Sequence, residues 1–201
     1  SALQQLYQEF YLRYLELSYG LFKEGATGKG LLEDILDTKN ILFKSRHLEV
    51  VTDFYRILIS YPAKEDFEKK FEALKNLEQQ IIDNKEQGLS IYGRVLNELG
   101  INCPDQSKKT KYYRQRVYFI LKKIGCLVEE EKTISDLLGI IRSRYSDLTI
   151  EDKEDINFSM GAWARHEYDA NKNFEISLEM SNSLKEWNLP LVDYRGYSTA
   201  S

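Results

Sequence analysis

Leu3, Tyr7, Phe10, Tyr14, Leu17 and Leu21 recur at alternating intervals of four and three, the repeat that sets side chains on one face of a helix. The spacing predicts a helix running to about Glu24, with Tyr11, Leu15 and Phe22 widening the apolar face. A stripe this broad is expected to be a core face of a helical bundle, because a coiled-coil seam is narrower. The run Glu24–Gly30 then breaks the helix. Its glycines and lysine do not make a phosphate loop. Lys23 stands where a glycine is needed five residues before the Gly28–Lys29 pair, and Gly30 stands where Ser or Thr must follow. It reads as an interhelix loop.

Leu32, Ile35 and Leu36, then Val50, Val51, Phe54, Ile57 and Leu58, predict two more helices joined near Ser45, the second ended by Tyr61-Pro62. Pro62 suits the first turn of a charged helix to about Gln87, with Phe67, Phe71, Leu74, Leu77 and Ile81 inward. Gly88 and the run Asn102–Thr110 bracket a short helix, Ser90 to Leu99, stopped by Gly100. A long helix to Lys123, an extended piece at Cys126–Glu129 and a helix from Thr133 to about Tyr145 follow. Thr149 with Asp152 caps a helix to about Ala170. Residues 174–188 alternate like a strand, yet Ile176, Met180, Leu184 and Trp187 line up at helical spacing, and a helix stopped by Pro190 is preferred. The expected fold is mainly α: a helical bundle over 1–88, a basic segment over 89–148, and C-terminal helices over 149–201 packing on the rest, the whole being compatible with a single domain.

Composition supports this. In 201 residues there are three prolines, 42% hydrophobic and 30% charged residues, which suits long helices in a globular chain. No stretch has the length of a membrane span, and the N-terminus lacks the basic-then-apolar order of a secretory signal. Cys103 and Cys126 fall outside any CxxC spacing. Reduced thiols and a cytoplasmic location are expected, with no membrane partner.

The net charge of -4 makes one anomaly stand out: no acidic residue lies between Asp105 and Glu129, while Lys108, Lys109, Lys111, Arg114, Arg116, Lys122 and Lys123 all do. On a helix, Tyr113, Val117, Ile120, Leu121 and Ile124 form the buried side and the bases take the other. The order Leu99-Gly100-Ile101, turn, Arg116-Val117-x-x-Ile120-Leu121-x-x-x-Gly125-x-Leu127-Val128-Glu129 resembles the second and third helices and first wing strand of winged-helix domains, over about residues 89–134. That resemblance implies a short β element after Gly125 and a recognition helix in the major groove of DNA. Lys108, Lys109 and Lys111 would then contact phosphates, with Tyr112, Gln115 and Arg116 near bases and Lys122 and Lys123 extending the basic surface. Winged helices also serve as protein-interaction modules. The bland alternative is a solvated face paired with acidic neighbours.

Trp163-Ala164-Arg165-His166-Glu167-Tyr168 is the other dense cluster, and Trp163, Arg165 and Tyr168 are the candidates for a protein interface. Catalytic signals are weak. His47 and His166 have no second His or Cys at metal-ligand spacing. Asp105 with Glu130-x-Lys132 has the residue types of a nuclease metal site but a long helix between them. No cofactor and no metal is expected. The sequence thus points to a non-enzymatic helical interaction protein with local DNA or RNA affinity. Its alternatives are a protein adaptor or scaffold subunit and an enzyme without a recognisable motif; the expected partners are DNA or RNA, another protein, or a second copy through the first helix.

Overall fold

The computed structural model describes residues 1–25, 29–37, 42, 44–129, 132–186, 191–192 and 198–199. It is mainly helical. The α-helices are α1 (Ala2–Lys23), α2 (Lys29–Leu36), α3 (Arg46–Ser60), α4 (Phe67–Asp83), α5 (Ser90–Asn102), α6 (Lys109–Lys123), α7 (Ile134–Arg144), α8 (Ile150–Asp169) and α9 (Phe174–Glu186). They fall into two compact units, Ser1–Ile91 and Tyr92–Ser201. Residues 92–148 and 149–186 therefore share one unit.

In the first unit, Ser1 opens α1 with a capping box, its hydroxyl accepting from the Gln4 amide while Gln4 reaches back to the N-terminus. Ser45 caps α3 by accepting from the Leu48 amide at 3.2 Å, so the joint falls where expected. The core is built from Leu15, Leu32, Leu36, Leu48, Phe54, Tyr55, Leu58, Leu74, Leu77 and Ile81, all nearly inaccessible. Around it Tyr11 donates to the Ile35 carbonyl, and burial pushes its phenol up to about 12. Arg46 holds both oxygens of Glu86 at 2.8 and 2.9 Å.

Two expectations in this unit are corrected. Pro62 does not enter the first turn of α4: Ala63 is extended, a single 3-10 turn follows over Lys64–Asp66, and the α-helix starts at Phe67. At the helix edge Phe67 stays 40% exposed. The larger correction is α1. Its buried face is Tyr11, Leu15 and Ser18, whereas Leu3, Phe10, Tyr14, Leu17 and Leu21, expected to be core, are exposed together with Leu6. Apolar residues cover more than half of this helix's circumference, and the docked edge is the one the expectation treated as a margin. Gly28 and the middle of the glycine-rich run lie outside the described residues.

The second unit has its own core, in which Tyr113, Val117, Ile120 and Leu121 of α6 meet Leu137, Leu138 and Ile141 of α7, Ile156, Met160 and Trp163 of α8, and Met180 of α9. Thr133 and Thr149 cap α7 and α8, accepting from the Asp136 and Asp152 amides. Gly125, at φ 77°, closes α6 in a conformation that suits glycine. Gly100, by contrast, stops nothing: α5 runs through it to Asn102. A β-carbon there would meet the Tyr113 ring at 2.6 Å, so this glycine is a packing residue for α6.

The winged-helix expectation is not met in its β element. Cys126–Glu129 form no strand, and Leu127, which a wing strand would pair, is 86% exposed. The β pairing that the described residues do contain is a two-residue antiparallel ladder, Leu191–Val192 with Ser198–Thr199. Over 174–186 the helical spacing prevails: Met180 and Ser183 are buried, while Phe174 and Leu178, which strand alternation would put beside Met180, are exposed. Trp187 and Pro190 lie outside the described residues.

Candidate interaction surfaces

The basic helix α6 is preceded by a 3-10 turn, Gln106–Lys108, which Asp105 caps through the Ser107 amide and hydroxyl at 3.0 and 2.6 Å. That use of Asp105 is structural: these bonds, and Lys108 Nζ at 3.4 Å, hold its carboxyl below the usual range. Glu130, the other carboxylate of the nuclease-like pattern, lies outside the described residues.

The helix does not turn all of its bases outward. Arg116 is 1% exposed, its Nη2 lying 2.7 Å from Asp155 Oδ2 of α8. The contact is an ion pair, and Nε is buried with no hydrogen-bond partner among the described residues. Burial works against the guanidinium charge, and the Asp155 carboxylate works for it. Space for this group comes from Gly93 of α5, where a β-carbon would fall 2.0 Å from Arg116 Nη1. Tyr112 is also buried. The expectation that Tyr112 and Arg116 approach bases is therefore corrected: both side chains belong to the interior, because α6 is packed on α8 along one side and on α5 through glycines along another.

The remaining expected contacts divide by their partners. Lys123 Nζ is held 2.9 Å from Asp152 Oδ1, and Lys109 Nζ donates to the Ile101 carbonyl at 3.2 Å. Lys111, Gln115 and Lys122 are exposed and fall at helical spacing along one outer edge of α6, while exposed Lys108, in the turn before the helix, pairs with Asp105 at 3.4 Å. Carboxylates of α8 pair with two of the seven bases, Arg116 and Lys123, and Asp105 pairs with Lys108.

In the α8 cluster, Trp163 is 1% exposed and donates its indole N–H to Glu167 Oε1 at 3.1 Å. The Arg114 guanidinium lies over its ring, 5.2 Å from the centroid. Trp163 is a core residue and cannot anchor a partner. Arg165 is half exposed and pairs with Asp169 at 2.7 Å. Tyr168 does face outward, packed edge-on against Phe174 with centroids 5.0 Å apart. With Ser177, Leu178 and Ser181 these two rings line a shallow groove of about 480 Å³.

His47 and His166 are both held below the usual imidazole range, chiefly by burial. Among the described residues, no group of three His, Cys, Asp or Glu side chains is placed to hold a metal ion, and no helix is long and apolar enough to cross a membrane.

The surface that residue spacing revealed but assigned to the core is the outer face of α1. Leu3, Leu6, Phe10, Tyr14, Leu17 and Leu21 run its length, each at least 41% exposed, with Phe10 stacked on Tyr14 at 6.3 Å. Leu6 was missed from this stripe, although its spacing of three from Leu3 and four from Phe10 signals it. No protein family, no curated protein and no solved structure matches the chain.

Proposed function

We propose that this chain is a non-enzymatic helical interaction protein of the adaptor or scaffold kind, docking another macromolecule through the outer face of α1. One observation carries the reading: six large apolar side chains stand exposed in a continuous row on a 22-residue helix. Scattered exposed leucines need no explanation, but a contiguous stripe of this size on a folded unit marks an interaction surface. Association through it is driven by apolar burial and is tolerant of salt. The test is radical footprinting of the dilute, monomeric protein. Strong labelling of Leu6, Phe10 and Leu17 is expected; protection of all three in the monomer would mean the chain covers its own face, and the reading fails.

A second reading, nucleic-acid binding through α6, rests on the outer row Lys108, Lys111 and Lys122 with Gln115 between them. These lysines contact phosphates without reading bases, so the affinity is weak, non-specific and steeply salt-dependent. Fluorescence anisotropy with duplex DNA, single-stranded DNA and RNA at two salt concentrations checks it. Replacing all three lysines with glutamine abolishes binding on this reading, and unchanged binding overturns it.

A further inference from the structure

We propose that the partner of α1 is a second copy of this chain, the two α1 helices pairing antiparallel in a homodimer. The inference rests on the docking reading above and names its occupant. Three features of the helix lead to it.

The first is area. Leu3, Leu6, Phe10, Tyr14, Leu17 and Leu21 are 65, 63, 70, 41, 54 and 50% exposed. Side chains of this size leave on the order of 600 Å² per chain, so two faces pressed together remove about 1,200 Å², the lower edge of a stable specific interface.

The second is self-complementarity. A two-fold interface requires a patch that fits itself without opposing like charges, and the stripe contains no charged residue. Its order of residue classes, leucine, leucine, aromatic, aromatic, leucine, leucine, is the same from either end. An antiparallel pair with its axis between Phe10 and Tyr14 therefore sets Phe10 on the partner subunit's Tyr14 and Leu3 on the partner subunit's Leu21. That orientation also opposes the helix dipoles.

The third is what the helix lacks. Its charged residues are Glu9, Arg13, Glu16 and Lys23, and Arg13 is paired with Glu16 at 3.1 Å. With no excess of cations, α1 has no attraction for an anionic lipid surface, which basic amphipathic helices need, and none for an acidic partner.

The experiment is size-exclusion chromatography with light scattering on the full chain, loaded from about 0.5 to about 100 µM, a span that reaches the weak association found at the lower edge of interface size. The mass is expected to rise from 23.6 kDa towards twice that value, with a midpoint insensitive to salt. Phe10→Glu with Leu17→Glu shifts the midpoint by at least about 100-fold while the helical circular dichroism is unchanged; Lys111→Glu does not shift it. Oxidising a mixture of Leu3→Cys and Leu21→Cys chains, each also carrying Cys103→Ser and Cys126→Ser so that no native thiol competes, links one to the other. A chain that stays monomeric throughout overturns the homodimer, and an open α1 footprint in the same sample leaves the docking reading standing with a different partner. A dimer that survives Phe10→Glu with Leu17→Glu overturns the assignment to α1, and Leu3→Cys chains that link among themselves overturn the antiparallel arrangement.

Discussion

α1 and α6 carry their apolar residues in opposite ways. α6, in a basic segment, buries Tyr112, Tyr113, Val117, Ile120 and Leu121, and draws even Arg116 inward. α1, with few charges, buries Tyr11, Leu15 and Ser18 and leaves its longest apolar row exposed. The difference lies in the neighbours. α6 is packed on α8 on one side and sets Arg116, Phe119 and Tyr113 against Gly93 and Gly100 of α5 on another. α1 is held along one edge, through contacts such as the Tyr11 hydroxyl with the Ile35 carbonyl. A helix's apolar content thus says how much it can bury, and how much of its circumference its neighbours cover decides how much it does.

The contrast can be broken or sharpened by substitution. The largest effect is expected in the second unit: Trp163→Ala removes a 1% exposed side chain and the platform under Arg114, costing about 3–5 kcal/mol in denaturant unfolding. Next comes a pair on α1 itself. Leu15→Ala is expected to cost about 2–5 kcal/mol, since Leu15 is inaccessible. Leu17→Ala, two residues on and 54% exposed, is expected to change stability by less than about 0.5 kcal/mol at concentrations where the chain is monomeric. Equal costs for the two would show that α1 is enclosed on both sides, and the contrast with α6 would disappear.

A smaller effect tests how α6 admits a buried cation. Gly93→Ala puts a methyl group into the Arg116 guanidinium and is expected to destabilise by about 1–3 kcal/mol. Gly93→Ala with Arg116→Met should recover much of that loss, because the pair with half-exposed Asp155 is removed along with the clash. No recovery would mean that the Phe119 ring, 3.2 Å from the same point, is the real obstacle.

The smallest effect is one of pH. His166 is held low by burial and by Lys109, against Glu167, Asp169 and a backbone bond with Gln106, and its Nε2 has no hydrogen-bond partner among the described residues. Its folded value lies below the unfolded one, so as pH falls below about 6.5 the unfolded chain takes the proton first. Stability is expected to be fully present above that pH and to decline below it. His166→Gln should flatten the decline in thermal melts between about pH 7 and 5, and His47, which burial also holds low, contributes in the same direction.

Much of this molecule is legible in its sequence. The joint near Ser45, the helix start at Thr133, the cap at Thr149, the break after Lys123 and the core side of α6 follow from local rules, because a cap or a helical repeat is satisfied within a few residues of chain. Gly100 shows the limit: in sequence it looks like a helix stop, whereas α5 runs on to Asn102 and the glycine makes room for the Tyr113 ring. Arg116 shows the same limit for a charge. Nothing near it in sequence announces that Asp155, 39 positions on, lies 2.7 Å away.

What the sequence determined by itself was a mainly helical chain, most of its helix boundaries, and the set of side chains that share each face. What the tertiary structure alone decided was the destination of those faces: that Arg116, Tyr112 and Trp163 go inside, and that the row from Leu3 to Leu21 stays outside. Periodicity is a property of one helix and is written in one stretch of chain. Burial is a property of what packs against that helix, and those neighbours come from segments tens of residues away whose arrangement no local pattern encodes.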